Sequence, residues 1–332
     1  MIRSLGALAG LTLAAFNAVP TVAAAQEAAQ DIVIVESDAP LPLEPEATNP
    51  SKRRSIGHGR IITNDLLGDT QDRWRTGSAT LSWAWARSEG AIPTSFGDLL
   101  ELRLHGEVVA PESLLRYRPK DRPIGGLTVL SLYTHYDIRG TETSIGGELA
   151  MTGGQTGLID FQSWLHDQFN VPRAAPGIVA NQLANEFYGG AVVEMGRPVG
   201  LGSKVWTRPF VEARYGVEDL VRVGFDLSFG QLNYGAVMGR DSVSGQRYRI
   251  GGTGDTGVSF TLGADAAYVA DSALMPTGTV KIEDMRYRYR AGFNWQREEG
   301  LSGFYGLTYL SEEFRGQNEG QVVGSLRLQM KF

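Results

Sequence analysis

Few side chains in this 332-residue sequence have the type and spacing to do chemistry. It has no cysteine, which excludes thiolate catalysis, disulfides and cysteine-held metals together. Of its four histidines, His166 stands out, because it lies in FQSWLHDQFN, residues 161–170, four positions after Gln162. Side chains four apart on a helix share a face, so Gln162 and His166 stack at the edge of an apolar stripe of Phe161, Trp164, Leu165 and Phe169. An imidazole gains and loses its proton near neutral pH, so it can serve as a general base. Ser163 adjoins Gln162, but no Gly-x-Ser-x-Gly elbow surrounds it. His58, His105 and His135 have no His-Ser neighbourhood, so a covalent serine mechanism is not expected. A lone histidine on a loop helix can also be merely solvated, and its company has to decide.

The rest of the chain is strand, not helix. Gly is 42 of the 332 residues, about twice ordinary usage, which favours turns and strands. In MRYRYRAGFNWQ, Tyr287, Tyr289, Ala291, Phe293 and Trp295 share one face, and Arg286, Arg288, Arg290, Asn294 and Gln296 the other. The same alternation runs through 100–105, 221–229 and 258–268. A soluble sandwich rarely sustains such runs with this many arginines, whereas in a membrane barrel the apolar face meets lipid and the polar face lines the lumen. The fold expected is therefore all-β, a transmembrane antiparallel β-barrel of about 12 strands, with a short helix in an extracellular-side loop. The last strand, LRLQMKF, ends on Phe332, as the terminal strands of bacterial outer-membrane proteins do.

The ends of the chain fit export. Residues 1–25 carry Arg3, an apolar run from Leu5 to Phe16 and the small-residue site Ala23-Ala24-Ala25, the pattern of a secretory signal peptide. Residues 26–56 form an acidic, Pro-rich leader, expected to be disordered in the periplasm, and 57–332 form the barrel. No later stretch holds the ~18 apolar residues of a spanning helix. Net charge is −6, with 31 basic against 37 acidic residues, so no basic field suits nucleic acid. If the leader is periplasmic, the connections 64–76, 110–125 and 153–185 all fall on the outer rim, and the last of these contains the helix. Long loops on a rigid scaffold are where function sits.

Five motifs occur in order along the mature chain: Asn64-Asp65; Asp72-Arg73 with Thr76-Gly77; Gln162-x3-His166; Gln182, Asn185 and Glu186 in NQLANE; and Glu313, Phe314 and Arg315 in SEEFRG. Together they resemble the outer-membrane lipid A 3′-O-deacylase family, twelve-stranded barrels that hydrolyse the 3′ acyl ester of lipid A and depend on Ca²⁺. The resemblance implies that His166 is the general base, that Gln162 shapes the site, and that Asp65 ligates the ion with support from Asn64 and Thr76. It implies lipid A, or lipopolysaccharide, as partner in the outer leaflet, and a monomer is expected. Oxygen donors such as Asp and Asn suit a hard cation, which supplies positive charge to an oxyanion. Arg116, Arg118, Lys120 and Arg122 could pair with lipid A phosphates or be a solvated loop. The chain departs from the family at Arg75, where a Tyr is usual, at Ile124, and at the tryptophan missing from APGIVANQL, which bears on acyl specificity. Two other readings keep the barrel: a diverged, non-catalytic member, and a small pore, for which inward Arg, Trp and Tyr side chains leave little lumen.

Overall fold

The computed structural model describes residues 52–88, 92–252, 256–276, 278, 280–297 and 300–329. The signal peptide, all of the acidic leader before Lys52 and the terminal Phe332 lie outside the described residues. Twelve strands close into an antiparallel barrel: β1 Arg54–Asn64, β2 Trp74–Ala86, β3 Leu99–Ala110, β4 Gly125–Ile138, β5 Thr141–Thr152, β6 Phe187–Gly196, β8 Val205–Tyr215, β9 Glu218–Phe229, β12 Gly257–Ser272, β13 Met285–Gln296, β14 Ser302–Leu310 and β15 Gln321–Gln329. The first strand starts three residues ahead of the expected 57. A two-residue strand, β7 Val199–Gly200, pairs only with β8, while β6 also pairs with β8 and β1 with β15 to complete the ring.

The alternation behaves as a boundary between two environments. In β13, Met285, Tyr287, Tyr289 and Phe293 are exposed on the outer wall, and Arg286, Arg288, Arg290 and Asn294 are buried in the lumen. A buried guanidinium is costly unless it is paired. The lumen is accordingly built of ion pairs: Arg290 and Arg288 with Asp265, Arg290 and Arg240 with Asp226, Arg222 with Glu212, and Arg103 with Glu101. His135 also meets Glu101, at 2.7 Å.

The connection from β9 to β12, at the end opposite the long loops, folds back into the lumen as a hairpin of β10 Val237–Arg240 and β11 Arg247–Gly251. Val237, Tyr248 and Ile250 pack against Ile61, Ala84, Leu99 and Phe304 of the wall. Its tip is pinned by polar bonds: Gln246 Nε2 donates to the carbonyls of Ala291 (3.1 Å) and Leu307 (3.2 Å), and Thr308 Oγ1 donates to the carbonyl of Ser244 (3.1 Å). A lumen filled by paired charges and a plug removes the physical basis of the pore reading.

Candidate active site on the outer wall

The site grows from the 65–73 connection. Asn64, the last residue of β1, accepts a hydrogen bond on Oδ1 from the Leu66 amide (2.8 Å) and so starts a short 3₁₀ turn, Asp65–Leu67. The Gly68 and Thr70 amides donate back to the Asp65 carbonyl at 2.8 and 2.9 Å. Gly68 passes so close to β15 that a Cβ there would lie 2.1 Å from the Val322 carbonyl oxygen, which makes glycine obligatory. The Asp65 side chain turns under the loop, 3% exposed, and its Oδ2 accepts from the Arg73 amide at 3.1 Å.

A β-bulge at the start of β2 then sets Thr76. The register slips between Arg75 and Gly77, so Arg75, which strict alternation would place on the lipid face with Gly77 and Ala79, enters the lumen. There it joins a network of Arg75, Arg122 and Arg286 with Glu107, Glu218 and Glu313. Thr76 Oγ1 donates to Asp72 Oδ1 at 2.5 Å.

The expected helix forms over Leu158–Phe169, α1, starting three residues ahead of the 161–170 stretch. It lies against the outside of the barrel because the wall there is small. A Cβ on Gly106 of β3 would be 3.7 Å from Leu158, and one on Gly126 of β4 only 2.1 Å from Thr156 Oγ1. Ile159 is buried with Val108, Ala110, Leu114, Ile124 and Ile178. The apolar stripe is therefore only partly buried: Phe161 and Trp164 stack at 5.8 Å and stay exposed, which suits aromatic side chains at a membrane interface. Asn170 ends the helix with φ 54°, a left-handed turn that brings the chain back over the last turn. That return places the Pro172 carbonyl 2.8 Å from His166 Nδ1. A carbonyl only accepts, so Nδ1 carries a proton and Nε2 of the neutral ring carries the lone pair.

Nε2 faces Asp72 Oδ2 at 3.2 Å. The contact lacks hydrogen-bond geometry, and Asp72 Oδ2 is a buried oxygen without a hydrogen-bond partner. Gln162 Nε2 reaches Asp72 Oδ1 at 3.5 Å, the limit of a hydrogen bond. Asp72 is thus the hub joining Thr76, Gln162 and His166. Burial first, and then the negative charge of Asp72, push the Asp65 carboxyl up to about 9. Among the described residues no Lys or Arg forms an ion pair with either of these two carboxylates.

Asn64, Asp65, Asp72, Thr76, Gln162 and His166 line one groove of about 560 Å³, whose walls are otherwise mostly apolar, with Leu158, Phe161, Leu165 and Phe169 of α1, and Ile62, Ala79, Leu81 and Leu104 of the barrel. Ile62, Ala79, Leu81 and Leu104 point outward in the strand alternation, so the groove opens along the lipid-facing wall rather than into the lumen.

The other motif residues have structural partners. Asn185 Oδ1 accepts from the Gln155 amide (3.1 Å), and Gln155 Nε2 donates to the Glu186 carbonyl (3.1 Å), so NQLANE staples the turn that launches α1. Glu313 anchors the arginine network, and Phe314 packs with Trp74 and Met275. Of the basic run, Arg116, Arg118 and Lys120 are exposed, with Arg118 paired to Glu112. Arg122 is 1% exposed and held by Glu313 at 2.5 Å, out of reach of any headgroup. The basic loop does adjoin the helix segment, since the Ala175 amide donates to the Leu114 carbonyl at 2.7 Å.

Oxygen donors and an orphaned carboxylate oxygen fit a hard cation. Among the described residues no three His, Asp or Glu side chains form a ready metal cage, so the Asp65 and Asp72 carboxylates would need the Thr76 hydroxyl, the second lone pair of Asn64 Oδ1, main-chain carbonyls or water to complete a shell.

Fold and groove define an outer-membrane barrel with an apolar groove on its lipid-facing wall. The profile of the family described as outer membrane protein LpxR matches residues 11–332, and the chain belongs to that family. Among solved structures, LpxR from Salmonella typhimurium is 14% identical with a TM-score of 0.64, over 83% of this chain and 100% of that one. The β domain of the Bordetella autotransporter BrkA (12% identity, TM-score 0.40, 84% of this chain and 99% of that one) and the KdgM porin (7%, 0.36, 83% and 98%) are more distant barrels. No curated protein sequence matches.

Proposed function

We propose that this protein is a Ca²⁺-dependent lipid A 3′-O-deacylase in which His166 activates water. The observation that carries the reading is the position of a polar histidine–carboxylate cluster at the mouth of an apolar groove on the outer wall. A lipid embedded in the membrane can lay an acyl chain along Leu81, Leu104 and Phe161 and present its ester at the polar end without leaving the bilayer. Family membership and the five motifs support the same substrate class.

In the reaction, the Pro172 carbonyl holds the imidazole with Nε2 toward the cluster. Nε2 takes a proton from water, and the hydroxide so formed attacks the ester carbonyl carbon. As the tetrahedral intermediate collapses, the bond to the sugar oxygen breaks and Nε2–H returns the proton to that leaving oxygen. Asp72, 3.2 Å from Nε2, steadies the imidazolium between these steps. Asp65, Asp72, Thr76 and Asn64 would hold the cation, which when bound supplies positive charge for the oxyanion. Gln162 keeps Asp72 Oδ1 oriented, and the exposed Arg116, Arg118 and Lys120 would meet lipid A phosphates, whereas the buried Arg122 would not.

The test is mass spectrometry of lipid A from cells making the wild type or His166→Ala, treated with Ca²⁺ or chelator. Loss of the 3′-linked acyl mass only in wild type with Ca²⁺ is the expected result. Unchanged lipid A in every sample, with a folded, heat-modifiable barrel, overturns the proposal in favour of a non-catalytic barrel.

A further inference from the structure

Arg327, near the end of β15, turns into the lumen and is 4% exposed, and its Nε has no partner. Every other buried arginine among the described residues is ion-paired with an Asp or Glu, including Arg73, Arg75, Arg122, Arg208 and Arg240. The charged side chains that act on Arg327 are other arginines, Arg249, which has partners of its own, and Arg60. Arg60 spends its Nε and Nη2 on the Leu328 carbonyl, at 3.2 and 2.7 Å, and has no carboxylate partner among the described residues. A largely buried guanidinium with no carboxylate beside it and a like charge nearby is unfavourable unless an anion joins it.

The wall is parted at this point. β1 pairs with β15 only from Ile62–Leu326 to Asn64–Gly324, although β15 continues to Gln329. The earlier half of β1 leans on the plug hairpin, where a Cβ on Gly57 would lie 2.6 Å from the Ile250 carbonyl oxygen. Arg60 bridges the resulting seam from its lipid-facing side.

We propose that Arg327 and Arg60 form an anion site for a phosphate group, that of a phospholipid headgroup entering through the β1–β15 seam at the end of the barrel opposite the groove. A guanidinium matches phosphate with two parallel N–H donors, and Arg60 and Arg327 approach the seam from its two faces. The site is independent of the deacylase reading.

The full chain, purified in mild detergent without phosphate, is examined by native mass spectrometry and thermal melting. Wild type is expected to retain a phospholipid adduct at least fivefold more abundant than in Arg327→Gln or Arg60→Gln. After delipidation, inorganic phosphate at constant ionic strength should raise its melting temperature by roughly 2–4 °C, and not that of the variants. An adduct without a response to phosphate assigns the lipid headgroup, and a response without an adduct assigns free phosphate. The absence of both in wild type, or equal signals in wild type and Arg60→Gln, overturns the site. Arg60→Gln alters a partly exposed residue and keeps the test decisive if Arg327→Gln fails to become heat-modifiable.

Discussion

The left-handed residue Asn170 offers a way to move His166 through a residue that does not itself line the groove. Its φ of 54° turns the chain back so that the Pro172 carbonyl meets Nδ1 at 2.8 Å. For a residue with a Cβ other than Asn or Asp, that conformation costs about 1–2 kcal/mol, whereas glycine adopts it freely. Asn170→Ala should therefore shift the loop toward turns in which the carbonyl no longer fixes the ring. If the open and closed turns are close in energy, as exposed loop ends usually are, 1–2 kcal/mol lowers the closed-to-open ratio about 5–30-fold and the oriented population about 3–15-fold. The effect should fall mainly on kcat in a mixed-micelle assay that follows released fatty acid, with a smaller change in KM from the displaced Val171, which lines the groove. Asn170→Gly should stay within about twofold of wild type, since its backbone is free to make the same turn. Wild-type kcat in Asn170→Ala refutes the orienting role of the carbonyl. An equal loss in both variants assigns the effect to the Asn side chain instead.

Three shorter predictions address the rim, the basic loop and the lumen. Burial alone would raise Glu313, but Arg75, Arg122 and Arg286 outweigh it and hold the carboxyl at about 2. A carboxyl depressed on folding stabilises above its unfolded value of 4.5, and that contribution is lost only as pH falls toward 2, so the heat-modifiability temperature should be flat from pH 7 to 5 and drop below 4 as far as Glu313 is concerned. Glu313→Gln, which leaves three arginines short of a counter-charge, should lower stability by roughly 3–5 kcal/mol at neutral pH, read as an earlier shift on semi-native gels. Arg116→Gln combined with Lys120→Gln should raise KM for bisphosphorylated lipid A about 3–10-fold and leave kcat and the KM for a dephosphorylated substrate unchanged; an equal rise for both substrates rules out phosphate contact. In planar bilayers the wild type should give no steady large conductance, and shortening residues 237–251 should produce one.

The strands were legible because each face of the wall meets a different environment. Arg286, Arg288 and Arg290 could not alternate with Tyr287 and Tyr289 unless one side held counter-charges and the other lipid. The hairpin 237–251 carries a similar local pattern, Arg247-Tyr248-Arg249-Ile250, yet both of its faces are enclosed in the lumen, so nothing local distinguishes it from a loop. Helical spacing found α1 and the Gln162–His166 pair, while the depth of its stripe was set by tertiary contact, with Ile159 buried and Trp164 left exposed.

Asp72 shows where reading by motif stops short. It stands four residues before Thr76 in one of the motifs, but its partnership with His166 depends on a bulge at 75–77 and on the Asn170 turn, two backbone irregularities that no side-chain period records. The groove itself did leave a mark: Gly77, Ala79 and Gly106 are small where the same outward rows elsewhere carry Trp83 and Leu102. On a lipid-facing wall a run of small residues forfeits packing with the membrane, so it signals that something else lies there. Here that is α1, and in the function proposed above a helix held against the wall brings His166 to a substrate that never leaves the bilayer.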